Sequence, residues 1–496
     1  MVYNSPLLKI IVIVKPCHPV VLSGNSMKLK VFMLVAYISN AALGLNSGAA
    51  RAQLQDTVSP AANNTIMRPD NNVIQSGSAP PDSTVRPPTS FKQILEAAWL
   101  SHPVVLGKKS AQVAAKAEQK GARWQFFPTP SFEASQQDSS QSRGQGVFRL
   151  EQPIWTGGRL MGGVEVANSR YAAAGAALQE VKYDLSLKIV AVYVEALRQH
   201  ARMQHATTNL AAHEKLLNMI KRRVEQDVSS STDQRLTESR YFLAANDLSA
   251  IKQAYNNALT QLSQINGAPV THVSASGVMA ANTLNEDAPK SLDEMLVKAA
   301  EYSPILQRLA YEQEAALADI SVKRAAYHPL LALRFESSRN QALGTTEVIK
   351  NDRLLAVLVG QPGAGLAAVA GVDSAIARHD AARLTRESAQ RDLNERVTLD
   401  WTEWVAAKQR LENANQSSIM SEEVFESYTR QYTIGRKSWL DVLNTVREAT
   451  QAKFALEDVR AQALSAGLRL RVQIGLLAPT PAPAERQPFI RLPWME

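Results

Sequence analysis

Two segments, Gly163–Val228 and Ala367–Gly435, run without a single proline and keep a helical pattern throughout. At 1.5 Å rise per residue, roughly 65 helical residues reach about 100 Å. No ordinary globular core calls for helices of that length. Each segment breaks at a short polar stretch, Asp227–Ser231 or Gly435–Ser438, and a further helical pattern runs back from it. Before each long segment lies a stretch that alternates as strands do. Leu331, Leu333 and Phe335 alternate with Ala332, Arg334 and Glu336, while Phe148, Leu150 and Ile154 alternate with Arg149 and Glu151. Polar loops are expected between these strands at Gln136–Gln145 and Ser338–Asn351. Short strands followed by two long antiparallel helices, twice over, describe a tube wall.

The two halves are copies of one unit. Ser90–Leu95 resembles Ser291–Leu296, Ser101-His102-Pro103 matches Tyr302-Ser303-Pro304, and Phe127-Pro128 matches His328-Pro329. Further on, Ser169–Ala173 resembles Ala377–Ala381, and Thr232-Asp233 falls opposite Leu440-Asp441. The register stays near 200 residues throughout, as a duplication requires. We place the first repeat at 90–270, a linker at 271–290 and the second repeat at 291–478. In each repeat one helix comes first, Phe91–Arg123 or Leu292–Ala326, ended by Pro128 or Pro329. Gly-bearing corners, Gln152–Arg159 and Gln361–Leu366, lead from the strands into the long helices.

The flanks read differently. Met27-Lys28-Leu29-Lys30, the apolar run Val31–Leu45 and Ala50-Arg51-Ala52 before Gln53 have the plan of a secretory signal peptide. Residues 1–52 are therefore expected to be a presequence, with Met27 as the true start. Residues 53–89 read as a disordered leader and 479–496 as a proline-rich tail. The one cysteine, Cys17, lies in the presequence, which excludes a disulfide scaffold or a zinc ribbon. The net charge of +8 over 496 residues is mild and gives no reason to expect nucleic acid as a partner.

Catalytic patterns are missing. Gly435-Arg436-Lys437-Ser438 ends like a phosphate loop, but Arg430 stands where its first glycine belongs. His213-Glu214 lacks the second histidine of a zinc protease, and no nucleophile elbow occurs. We expect no enzyme activity, no cofactor and no metal.

Tyr432-Thr433-Ile434-Gly435-Arg436-Lys437-Ser438-Trp439-Leu440-Asp441-Val442-Leu443-Asn444 resembles a turn pattern of the TolC-like outer-membrane efflux and secretion channels. Gln152-Pro153-Ile154-Trp155-Thr156-Gly157-Gly158-Arg159 resembles the strand-to-helix corner of the same family. The resemblance spans about 90–478. It implies a mainly α protein with a small β part, in which a homotrimer shares a twelve-stranded β-barrel, four strands per copy. A long α-helical barrel would extend into the periplasm of a Gram-negative cell. The strand count independently asks for oligomers, because four strands in lipid leave unpaired edges costing several kcal/mol per backbone group.

The resemblance also implies partners: outer-membrane lipid, a periplasmic adaptor, and an inner-membrane ABC or proton-driven transporter. Asp441 and Asn444 share a helix face, and in a trimer Asp441 would form a ring of carboxylates at the narrow entrance. Asn444 stands where a second acidic ring would sit, which predicts weaker cation block. Tyr432 and Lys437 in the second repeat, with Thr232 and Asp233 in the first, are the positions expected to lock the entrance. A Lys437–Asp233 ion pair and a Tyr432–Asp233 hydrogen bond are the contacts expected. The expected function is a passive exit duct, with type I secretion of a protein such as an adhesin ahead of small-molecule or drug efflux. Long helices alone also fit a periplasmic coiled-coil adaptor or scaffold, but the strands before each long helix do not.

Overall fold

The computed structural model describes residues 90–135, 142–274, 289, 291–342, 348–360 and 367–477. The presequence, leader, tail, most of the linker and the corner Gln361–Leu366 lie outside the described residues. Each repeat gives two short helices, two strands and two long helices. The first has α1 (Phe91–Ser101), α2 (Pro103–Trp124), β1 (Thr129–Ser135), β2 (Ser142–Trp155), α3 (Arg159–Glu225) and α4 (Ser231–Asn266). The second has α5 (Leu292–Tyr302), α6 (Pro304–Arg324), β3 (Leu330–Ala342), β4 (Val348–Val359), α7 (Ala367–Thr433) and α8 (Trp439–Gln473).

The opening helix of each repeat, expected to be continuous, is two helices. The residue before a proline is pushed out of the α region. His102 and Ser303 accordingly adopt ψ of 128° and 111°. Each then caps the helix that follows: His102 Nδ1 accepts from the Val104 N–H and Ser303 Oγ from the Leu306 N–H. Pro103 and Pro304 sit in the first helical turn, where no N–H is missed. The aligned prolines mark the same joint inside each repeat, and the helices do not run through it.

The strands also exceed their expected bounds. β3 continues through Ser338 to Ala342, and β4 starts at Val348, so most of the expected loop Ser338–Asn351 is ladder. β2 likewise begins at Ser142, inside the expected loop Gln136–Gln145. Polar residues at the strand ends hid this, since a sheet rising past an apolar zone alternates without a hydrophobic face. The four strands form one antiparallel sheet in the order β1-β2-β3-β4, which joins the repeats through β2 and β3. Register sorts the side chains by face. Phe132 lies opposite Phe148, and Leu150 opposite Phe335, itself opposite Leu354. On the other face Arg149 lies opposite Glu336, itself opposite Arg353, and Glu151 opposite Arg334.

The corner after β2 needs glycine. Gly157 has φ +61°, and a Cβ there would come within 2.5 Å of the His328 Cβ. The Trp155 and His328 rings meet edge-on at 5.7 Å, so the corner is packed as well as bent.

The helices bury several separate cores along their length. The largest gathers Ile94, Ile189, Tyr193, Leu262, Leu468 and Val472 from α1, α3, α4 and α8. Val270 and Val273, at the edge of the expected linker, pack into it, and the Tyr193 hydroxyl donates to the Ser274 carbonyl at 2.8 Å. Burial raises the Tyr193 phenol to about 12, so it stays a donor. A second core joins Met295, Leu393, Val397 and Leu470. Ion pairs stitch the long helices between cores: Arg198 and Arg202 on α3 to Asp458 on α8, and Arg469 on α8 to Asp400 and Glu403 on α7. No helix among the described residues is long and apolar enough to cross a membrane.

Candidate functional site: the paired helix turns

The two long helices end in turns of the same construction. In the first, the Asp227 N–H donates to the Val224 carbonyl and the Val228 N–H to the Arg223 carbonyl, at 3.0 and 2.8 Å. In the second, Gly435 donates to Tyr432 and Arg436 to Gln431, at 3.0 and 2.9 Å. This nested pair of bonds satisfies the orphan carbonyls of a helix end and requires a left-handed residue just past it. Gly435 has φ +77° and Asp227 φ +56°, the one non-glycine residue with positive φ among the described residues.

Each returning helix then starts on a serine. Ser230 Oγ accepts from the Thr232 N–H at 3.1 Å. Ser438 Oγ accepts from the Asp441 N–H, and the Asp441 carboxylate accepts from the Ser438 N–H, both at 3.2 Å. That reciprocal pair is a capping box. Asp233 and Asp441 hold the same place, the first turn of α4 and of α8, where the helix dipole favours a negative charge. Hydrogen bonding to the Ser438 side chain and then to its backbone, with the Lys437 charge, holds the Asp441 carboxyl below the usual carboxylate range.

A small apolar core welds the two turns together. Leu216 and Ile220 of α3 pack with Tyr432, Trp439, Val442, Leu443 and Val446. The Tyr432 and Trp439 rings lie 4.8 Å apart, and the Arg223 guanidinium sits 4.9 Å above the Tyr432 ring. Two polar contacts cross between repeats. Trp439 Nε1 donates to Thr237 Oγ1 at 2.6 Å, and Thr237 in turn donates to the Asp233 carbonyl. The Tyr432 hydroxyl lies 3.4 Å from Ser229 Oγ.

The expected lock residues therefore lie on the two paired turns, but the contacts of Tyr432 and Lys437 within one copy differ from those expected. Tyr432 reaches Ser229 in place of Asp233. Lys437 points back along its own repeat, with Nζ 4.2 Å above the Tyr428 ring. No ion pair joins Lys437 to Asp233 among the described residues. Burial explains the first change: Tyr432 is 8% exposed, drawn into the wall by Trp439. A cation over an aromatic face explains the second. Thr232 is exposed, while Asp441 and Asn444 lie half-buried on one face of α8. The Trp439–Thr237 bond, the shorter of these two polar contacts, was not foreseen. The available signal was a tryptophan directly after the capping serine, where the first repeat has Ser231. Among the described residues no group of three or more histidine, cysteine or acidic side chains could hold a metal.

The family model for outer membrane efflux proteins matches the chain twice, over residues 95–268 and 295–476. No curated protein matches the sequence. Solved structures share the fold. A membrane protein from Pseudomonas aeruginosa superposes with a TM-score of 0.69 at 17% identity, covering 78% of this chain and 92% of its own. The outer membrane protein VceC from Vibrio cholerae gives 0.65 at 16% identity, covering 78% and 96%. The open state of the MtrE outer membrane channel of Neisseria gonorrhoeae gives 0.65 at 16%, covering 78% and 88%.

Proposed function

The chain belongs to the outer membrane efflux protein family, and from that premise we propose that three copies form the outer-membrane exit duct of a tripartite export system. The observation that carries this reading is the four-stranded sheet. It has an apolar face, a charged face and two open edges, and it leads into helices of 67 residues. Phe132 and Leu354 on the apolar face are 75% and 66% exposed in one copy, as suits contact with lipid. Three such sheets closing edge to edge make a twelve-stranded barrel with the charges inside. The helices continue the tube into the periplasm, where a periplasmic adaptor docks and an inner-membrane ABC or proton-driven transporter supplies the energy. The duct itself is passive.

For cargo we propose type I secretion of a large protein. The corner Trp155-Thr156-Gly157-Gly158-Arg159 supports it by likeness to secretion-linked channels. Small-molecule efflux is the second reading, favoured by the family's description. Deleting the gene and measuring both secreted surface protein and drug susceptibility separates them. Loss of secretion with unchanged susceptibility supports the first, and the reverse supports the second.

We place the entrance at the paired turns. Asp441 would repeat around the threefold axis, with Asn444 one turn deeper. Tyr432, Lys437, Thr232 and Asp233 surround the contact between repeats that opening must loosen. Purified protein should migrate as a heat-modifiable trimer and form channels in planar bilayers. Tyr432→Phe with Lys437→Ser should raise single-channel conductance, and unchanged conductance would remove these residues from the lock.

A further inference from the structure

The charged face of the sheet carries a ladder that crosses every strand. Glu133 on β1 pairs with Arg149 on β2 at 2.7 Å, Arg149 with Glu336 on β3 at 3.4 Å, and Glu336 with Arg353 on β4 at 2.6 Å. The charges alternate in sign. The inner Glu336 side chain is 9% exposed and has two partners, whereas the ends, Glu133 and Arg353, are 61% and 53% exposed. The two ends carry opposite charges and lie on the two open strand edges. Strand direction alternates along the sheet, so β4 of one copy and β1 of the next meet antiparallel, as β1 and β2 do.

We propose, resting on the trimer reading above, that Arg353 of one copy pairs with Glu133 of the next. The ladder then closes into a level ring of alternating charge that fixes the register of the seam. The stagger supports this. A closed barrel tilted by about 36° shifts by about one residue per strand, or about four residues per four-stranded copy. Within a copy, Arg149–Glu336 and Glu336–Arg353 are directly opposite and contribute no step. Glu133–Arg149 is a diagonal, because Ser131 is the residue opposite Arg149, so it contributes a step of two. One further diagonal of the same hand at the seam completes the shift. That places Arg353 opposite Ser135 of the neighbouring copy and on the diagonal from its Glu133, within reach of a long side chain. An edge built this way also discourages wrong partners, since a like-charged edge meets repulsion.

Cysteine pairs read the register directly. In full-length protein carrying Cys17→Ser, S135C/R353C should cross-link copies on mild oxidation up to a covalent trimer. S131C/R353C, with its β1 cysteine four strand positions from Ser135, should stay largely unlinked. A double-mutant cycle gives the energetic readout, because Glu133 and Arg353 of one copy have two strands between them and do not touch. E133Q and R353Q should each lower the temperature of trimer dissociation, and E133Q/R353Q should lower it by less than the sum. An intact trimer with additive shifts, or one cross-linked at S131C/R353C in place of S135C/R353C, overturns the seam and leaves the trimer reading standing. A protein that is monomeric before any substitution overturns both.

Discussion

Helices α3 and α7 have the same length, 67 residues, and the same place in their repeats, yet they live in different surroundings. Helix α3 lies against α2, α4, α6 and α8 and buries side chains from Leu160 to Ile220. Helix α7 lies against α5, α6 and α8 and buries only seven residues along its whole length, Tyr432 among them. Its apolar side chains Leu384, Leu399, Ile419, Met420 and Val424 remain exposed, whereas Met161 is the only large apolar residue exposed on α3. Duplication supplied two similar helices, and position in the wall decided their fate. One is interior to the copy. The other presents an apolar stripe that a neighbouring copy would cover in the proposed tube.

Substitutions that treat the two helices alike should expose this difference. Ile189→Ala on α3, at a side chain with no exposure, should cost about 2–5 kcal/mol, read as a lower unfolding midpoint. Leu399→Ala on α7 should leave the folding of one copy within about 0.5 kcal/mol while lowering the dissociation temperature of the trimer. Equal effects on both readouts for both variants would break the contrast.

The turns offer a smaller contrast. Gly435→Ala forces a side chain into the left-handed region, for about 1–2 kcal/mol in thermal unfolding. Asp227→Gly, at the corresponding place in the first repeat, should change stability in the opposite direction by less, because aspartate tolerates this conformation better than most residues. Trp439→Phe removes the bond to Thr237 but keeps the ring, and should cost about 1 kcal/mol in the same measurement.

The smallest effect is one of pH. The folded Asp441 carboxyl is held below its unfolded value. Its cap therefore contributes fully above the unfolded value and fades as pH falls through the folded one. Acid titration of the unfolding midpoint should show wild type and Asp441→Asn converging below the usual carboxylate range. Asp441 is only half-buried and water screens its carboxylate, so the divergence above that range should be slight.

Long-range order was legible and short-range choice was not. Proline-free runs, aligned prolines and alternating strands disclosed the repeats, the four strands and the long helices, because backbone sterics and periodicity act over many residues. The split at His102-Pro103 was visible in the same aligned prolines, but the local bias of a pre-proline residue was outweighed by the helical pattern on both sides. At the turns, the resemblance pointed to Tyr432, Lys437, Thr232 and Asp233, but the contacts that Tyr432 and Lys437 make within one copy are with Ser229 and Tyr428. Whether Lys437 reaches Asp233 or Tyr428 is a choice among rotamers, taken here by the Tyr428 ring, and one-dimensional spacing carries no record of it. The charge ladder escaped for a related reason: Glu133, Arg149, Glu336 and Arg353 are far apart in sequence and meet only once register is known.

The equal length of α3 and α7 makes the protein a ruler. Adding one residue to a helix turns everything beyond it by about 100°, and only steps near seven residues bring a face almost back to its starting direction. A single-residue insertion in α7 alone would rotate its exposed stripe away from the neighbouring copy and carry Tyr432 out from under Trp439. Drift in the length of such a tube must therefore come in whole double turns, made in both repeats and matched in the returning helices. The distance this duct can span is quantised by its own duplication.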